Sequence, residues 1–250
     1  ERELESECLS DKQFAAHQRQ GNIARCQDLC VDYILWLRGE AFPDLDLSGQ
    51  KILIDCANGA ASEIAPRVMK AFGAETILIH AVPDGSNINL DCGATNPQVC
   101  ATEMLNQQYD AGLSLDGDAD RGILCDNNGR TLDGDVILAG LGQAMSQQQS
   151  LTNNTVVATV MSNLALETYL KESGVALLRT KVGDKYVAKE MRSGNHNLGG
   201  EKSGHILFGA EHGFRGDGLY TLLRVLQAVQ EQKSCLSDFA VNYSDFPQIL

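Results

Sequence analysis

Between residues 51 and 115 three short apolar runs, KILID, ETILI and AGLSL, alternate with two stretches of helical spacing and capping chemistry. Runs this short, bounded by turn residues, read as buried strands rather than core helices. Strands joined through helices pair in parallel, so the chain is committed to a sheet with helices on its faces. The alternation then restarts. TVVATV reads as a strand, residues 162–173 as a helix, VALLRT as a strand and residues 184–191 as a helix. NLGGEKSGHILF reads as a strand broken by a glycine-rich loop, and residues 217–231 as a last helix. The expected fold is α/β: two consecutive α/β domains of similar plan, each a mixed, mostly parallel sheet flanked by helices. The expected division is residues 1–132 and 133–250.

Local signals refine this map. An apolar stripe at Ile23, Cys26, Cys30, Ile34 and Leu37 predicts a helix over 23–41. Ser62 is the expected N-cap of a helix that ends at Gly73, with Pro66 near its first turn. Asn96 is the expected cap of the next helix, with Pro97 at its first position. GILCDNNGRTLDGD reads as a hairpin around Asn128-Gly129, followed by a helix over 136–145 and a polar loop, SQQQSLTNNT. The eight cysteines contain no C-x-x-C pair, and Cys56 and Cys125 end apolar runs, so they read as small buried hydrophobes. No signal-peptide pattern or membrane-length apolar run is present in the 250 residues, and a reduced cytoplasmic protein is expected. A formal charge of −13 argues against a nucleic-acid surface but not against a small basic pocket. The start at ERELESECLS and the stop at DFPQIL, on an expected strand beginning, read as cuts in a longer protein.

The third strand runs straight into LDGDADRG, residues 115–122. An EF-hand would need glycine at position six and glutamate at twelve of the loop; Arg121 and Asn127 stand there. A haloacid-dehalogenase-type phosphatase would use Asp116 as nucleophile in D-x-D-x-T/V, but the fifth position is Asp120, a third acid. Asp116, Asp118 and Asp120 therefore favour three oxygens aimed at one hard cation such as Mg2+. Arg121 supplies a permanent positive charge suited to a phosphate at the same ion.

Two further stretches carry chemistry. In GGEKSGH, residues 199–205, flanking glycines let backbone approach a ligand, and Glu201, Ser203 and His205 alternate toward one side. A carboxylate beside a hydroxyl suits sugar hydroxyls, which donate and accept. In RTKVGDKYV, residues 179–187, Lys181 and Lys185 flank Gly183 and Asp184 at an expected helix start, where free N–H groups favour an anion. A phosphate or sugar contact is expected from both lysines, whereas Lys189 reads as a solvated cation. CANGAAS lacks the phosphate-loop patterns and reads as a tight strand-to-helix turn. His17, His80, His196 and His212 show no metal-ligand spacing and are expected on the surface or in the core.

In this order DGDADR, KVGDKYV and GEKSGH resemble the signature loops of the α-D-phosphohexomutase superfamily. IDCANGAASEIAP, PDGSNINLDCGATNPQ, TVMSNLALE and FPQIL resemble its branch acting on glucosamine phosphate. Lys185 stands where that group more often has arginine, and Lys202 fills a variable place. The likeness spans nearly the whole chain but only the middle two of the family's four domains. It implies that Asp116, Asp118 and Asp120 hold Mg2+ together with a phosphoserine from the first domain. Ser162 is not that serine. Arg121 and Lys185 are the implied catalytic cations; Lys181, Gly183, Asp184, Glu201, Ser203 and His205 are the implied substrate contacts. The implied partners are a sugar phosphate and the first and fourth domains of the same polypeptide, with no nucleic acid or membrane. The isolated chain is expected to be inactive. Another phosphohexomutase (phosphomannomutase or phosphoglucomutase), a phosphatase and a non-catalytic sugar-phosphate-binding module stay open as alternatives.

Overall fold

The computed structural model describes residues 2–10 and 28–248. Two sheets form, each begun by a parallel βαβαβ path. In the first, β1 (Lys51–Asp55), β2 (Glu75–Ile79) and β3 (Ala111–Leu115) are followed by β4 (Gly122–Asp126) and β5 (Thr131–Leu132). The strand order is β2-β1-β3-β4-β5. β1 pairs with β2 and β3 in parallel, and β4 and β5 are added antiparallel. The second sheet holds β6 (Thr155–Thr159), β7 (Ala176–Thr180), β8 (Leu198–Gly200) and β9 (Ile206–Phe208) in the order β7-β6-β8-β9. β6 is parallel to β7 and β8, and β9 turns back antiparallel. The order of the first four strands is thus the same in both units.

Helices α1 (Arg2–Cys8) and α2 (Asp28–Trp36) precede the first sheet, and α3 (Ala61–Ala71) and α4 (Gln98–Asn106) make its crossovers. The second unit has α5 (Gly134–Gln147), α6 (Leu164–Glu172), α7 (Asp184–Gly194) and α8 (Gly218–Glu231). β1, β3 and β6 are buried on both faces, which explains their unbroken apolar sequences. One continuous core joins the units: Ile54, Leu113 and Leu132 belong to the same buried cluster as Leu138, Val156, Phe208 and Leu222. α8 packs against β4 of the first sheet. No helix among the described residues is long and apolar enough to cross a membrane.

Several helix starts differ from expectation. α3 begins at Ala61 with Ala60 as cap, not Ser62. Left-handed backbone at Ala57 and Asn58 completes the turn early, and the Ala60 N–H donates to the Gly117 carbonyl instead of to a side chain. α4 is preceded by Pro97, while the Asn96 amide donates back to the Asp91 carbonyl. α6 is capped by Asn163, whose Oδ1 accepts from the Ala165 N–H. α5 is longer than expected because Asp133 caps it, accepting from the N–H groups of Asp135 and Val136. The hairpin turns where expected, with Gly129 at φ +77°. Residues 245–248 form no strand; they lie on Asn163, which bonds the Phe246 backbone through both ends of its amide. Of the stripe expected over 23–41, Ile23 and Cys26 lie outside the described residues, as does His17. Cys56, Cys92, Cys100 and Cys125 are buried free thiols, and Cys8, Cys30 and Cys235 are exposed ones.

Candidate active site

The β3–β4 connection, residues 116–121, is a tight loop with Ala119 in the left-handed region at φ +62°. Asp116 is buried, Asp120 half-buried and Asp118 exposed, and an oxygen from each lies within 4.8 Å of the others. The buried Asp116 is steadied by Arg121: its Oδ1 accepts from the Arg121 N–H at 3.1 Å, and its Oδ2 is 3.6 Å from Arg121 Nε. Burial raises its pKa above the ordinary carboxylate value; the Arg121 N–H opposes this, and the charges of Asp120 and Asp118 add to it. Asp120 Oδ1 is shielded from water and has no hydrogen-bond donor among the described residues, although Arg121 Nε stands 3.8 Å away. An all-oxygen donor set with an orphaned buried acceptor and a carboxylate pushed toward protonation fits a hard divalent cation such as Mg2+.

The β8–β9 connection, residues 201–205, sits directly against this loop. The Gly122 N–H donates to the Gly204 carbonyl at 3.0 Å, and the Gly134 N–H to the Lys202 carbonyl at 3.0 Å. Buried His205 places Nδ1 3.3 Å from Asp120 Oδ2. Glu201 turns the other way, and its Oε1 accepts from the Gly183 N–H at 2.9 Å. That bond ties in the β7–α7 turn, where Gly183 has φ +122° and α7 begins at Asp184. Lys181, Asp184 and Lys185 are exposed at this helix start. Ser203 and Arg121 share one groove of about 560 Å³, with Asp133 and Lys202 on its wall. The 201–205 loop thereby touches both the acidic loop and the β7–α7 turn.

Not every polar side chain in these motifs is free for a ligand. Arg179 bonds the carbonyls of Ser162 and Asn163 and pairs with Glu167, so this cation is structural. Lys202 lies 2.6 Å from Asp245 Oδ2, 3.3 Å from Asp133 Oδ2 and 3.7 Å from Asp135 Oδ2. Burial works against its charge, but these carboxylates outweigh it and hold the ammonium above its usual pKa. Ser162 is buried.

One framing residue escaped sequence reasoning. Asp217 caps α8 by accepting from the Tyr220 N–H; its other oxygen accepts from Tyr33 Oη at 2.7 Å and lies 3.3 Å from His212 Nε2. Burial, then the Asp217 charge, raises the Tyr33 hydroxyl pKa. The cap aims the next N–H, that of Gly218, at the Ala119 carbonyl of the acidic loop, at 2.9 Å. An aspartate just before a helical stripe was the available signal; its reach back to α2 was not.

Residues 40–129 match the family described as phosphoglucomutase/phosphomannomutase, alpha/beta/alpha domain II, and residues 133–246 match its domain III. The phosphoglucosamine mutase of Nitratidesulfovibrio vulgaris is 46% identical over 237 residues, covering 95% of this chain and 52% of the relative. That of Rhizobium etli is 42% identical over 252 residues, covering 99% and 56%. The chain spans about half the length of the curated relatives it matches. Among solved structures, a phosphoglucomutase/phosphomannomutase family protein from Burkholderia thailandensis superposes with a TM-score of 0.73 at 24% identity, over 87% of this chain and 47% of that one. Aspergillus fumigatus N-acetylphosphoglucosamine mutase in complex with GlcNAc-6P and magnesium superposes with a TM-score of 0.65 at 20% identity, over 88% and 52%.

Proposed function

Because the chain belongs to the phosphoglucomutase/phosphomannomutase family, we propose that it is the central part of a phosphoglucosamine mutase interconverting glucosamine 6-phosphate and glucosamine 1-phosphate. The observation that carries this reading is the contact between the two loops, with His205 of the glycine-framed loop at 3.3 Å from Asp120 of the acidic one. A phosphoryl-transfer centre and a reader of sugar hydroxyls would then face one substrate. Relatives at 42–46% identity that bear this enzyme's name support the choice of sugar.

On this reading Asp116, Asp118 and Asp120 hold Mg2+, which when bound neutralises charge on the transferring phosphoryl group. Arg121 adds a fixed charge at the rim of the same site. Glu201 and Ser203 orient the sugar through its hydroxyls, and Lys181 and Lys185 offer cations to its phosphate. A phosphorylated serine and a phosphate-clamping loop would come from the first and fourth domains of a longer, cytoplasmic polypeptide. The sugar would pass through a 1,6-bisphosphate and turn over between two transfers. Catalysis of this kind is positioning and charge neutralisation, and the chain by itself would turn over no substrate.

The test is Asp118→Asn in the polypeptide carrying all four domains. Turnover should fall by roughly a thousandfold, with the thermal midpoint unchanged because Asp118 is exposed. Wild-type turnover in that variant would remove the metal assignment. An aspartyl adduct formed on Asp116 with beryllofluoride would favour the phosphatase alternative instead. Robust mutase turnover by the 250-residue chain alone would overturn the division of labour.

A further inference from the structure

A second cluster of metal-ligating side chains lies behind the acidic loop, on three separate segments of the first unit. Asp55 ends β1 and is fully buried; His80 follows β2; buried Cys92 precedes the 3-10 turn at Gly93–Thr95. One ligand atom from each, Asp55 carboxylate oxygen, His80 ring nitrogen and Cys92 Sγ, lies within 4.8 Å of the other two. We infer that Asp55, His80 and Cys92 form a binding site for a zinc-class transition-metal ion, distinct from the all-oxygen site at Asp116, Asp118 and Asp120.

Three observations carry this. First, His80 Nδ1 is shielded from water and makes no directed hydrogen bond among the described residues, although Asp55 Oδ2 is only 3.2 Å away. A hydrogen bond therefore does not account for the pair, whereas two ligands of one tetrahedral ion with bonds near 2.0 Å stand about 3.3 Å apart. Second, the donor set is nitrogen, sulfur and oxygen, which suits Zn2+ or Co2+ and is poor for Mg2+. Third, the carboxylate of the site is fixed in place. Asp55 Oδ1 and Oδ2 accept from the N–H groups of Ala57 and Gly93, which holds the carboxylate in place. His80 also borders an open groove of about 490 Å³ beside Gln98 and Glu103, while Asp55 and Cys92 are buried behind it. Binding replaces the Cys92 thiol proton, which leaves to solvent.

An ion here would pin the ends of β1 and β2 to the loop before α4. That loop and the β1–α3 turn are already linked, Asn89 N–H to Ala57 carbonyl, and the turn touches the acidic loop through Ala60 N–H to Gly117 carbonyl. The ion would act as a fastener for the floor under Asp116–Asp120. The inference is independent of the substrate proposed above.

The experiment is Co2+ titration of the reduced, chelator-free chain followed by absorption. One equivalent should bind with a thiolate-to-cobalt charge-transfer band and the intense visible bands of a tetrahedral ion, be displaced by Zn2+, and resist excess Mg2+. Cys92→Ser should abolish the charge-transfer band. His80→Asn should weaken binding at least tenfold; asparagine tolerates the left-handed backbone at this position, φ +46°, so this variant remains informative if Cys92→Ser fails to fold. Cys30→Ser, Cys235→Ser and Asp118→Asn should leave the band in place. A missing charge-transfer band in the wild-type chain, a band that survives Cys92→Ser, or unchanged affinity in His80→Asn would overturn the assignment.

Discussion

The two sheets carry their working loops at the same topological place, between the third strand and an antiparallel fourth, but the loops are made of opposite materials. Residues 116–121 concentrate carboxylates, one of them buried, so the loop works against itself electrostatically until a cation arrives. Residues 201–205 mix Glu201, Lys202, Ser203 and His205, and their polar groups are met by the protein itself: the Gly183 N–H for Glu201, three aspartates for Lys202, and Asp120 beside His205. One plan thus supports a loop of clustered carboxylates and a loop whose polar groups are largely met, so the character of the loop is set by the connection and not by the sheet.

Each loop is wedged against a glycine, and these are the points at which the comparison breaks most sharply. A methyl at position 134 would overlap the Glu201 carbonyl, and one at position 59 would overlap the Gly117 carbonyl. Gly134→Ala should cost about 3 kcal/mol in denaturant unfolding and, if the proposed sites operate, weaken binding of the proposed glucosamine phosphate while leaving cation affinity nearly unchanged. Gly59→Ala should cost a similar ~3 kcal/mol and show the reverse pattern of binding losses. Isothermal titration of both variants with both ligands checks this; equal losses in all four cells would mean that the loops act as one.

A smaller effect is expected at Arg130, where the first unit's hairpin holds the second unit's last segment. Its Nη2 donates to the Phe239 carbonyl at 2.7 Å and its Nε to buried Asp126 at 3.1 Å. Arg130→Ala should destabilise by about 2 kcal/mol. The urea curve should remain a single transition if the shared core keeps the units together, and should split if this arginine is their main tie.

The smallest effect compares the raised carboxylates of the two units. Burial lifts Asp116, and burial also lifts Asp135, despite help from the Asn163 N–H and Lys202. A folded-state pKa above the unfolded 3.8 means that the stabilising contribution is complete below that value and is lost as pH rises through the folded pKa. Without divalent ions, Asp116→Asn and Asp135→Asn should each raise the neutral-pH melting temperature by roughly 2–4 °C, and each should flatten its pH dependence above the ordinary carboxylate range. Added Mg2+ should stabilise the wild type and Asp135→Asn but not Asp116→Asn, which would separate the cation-seeking carboxylate from the merely buried one.

What could be read from the sequence was what is encoded within a few residues. The apolar runs at 52–54, 111–115 and 155–159 announced doubly buried strands, and the spacing of Asp116, Asp118 and Asp120 announced a convergent cluster. The Ser62 cap failed because left-handed residues at 57 and 58 set the helix start from outside the helix pattern. His80 looked like a lone histidine because its neighbours, Asp55 and Cys92, arrive from other segments. The meeting of the two loops was equally hidden: backbone pairs such as Gly122 with Gly204 leave no mark on local periodicity.

That brace has a consequence for which loop lengths the chain can accept. It runs through main-chain atoms, Gly122 N–H to Gly204 carbonyl and Gly134 N–H to Lys202 carbonyl, and uses no side chain of the 201–205 loop. The Lys202 ammonium is engaged separately, by Asp133, Asp135 and Asp245. Gly122 opens β4 and Gly134 opens α5, so inserting or deleting one residue in the 201–205 loop would shift its carbonyls past these fixed donors. The length of this connection is therefore bound by two elements that lie far from it in the chain.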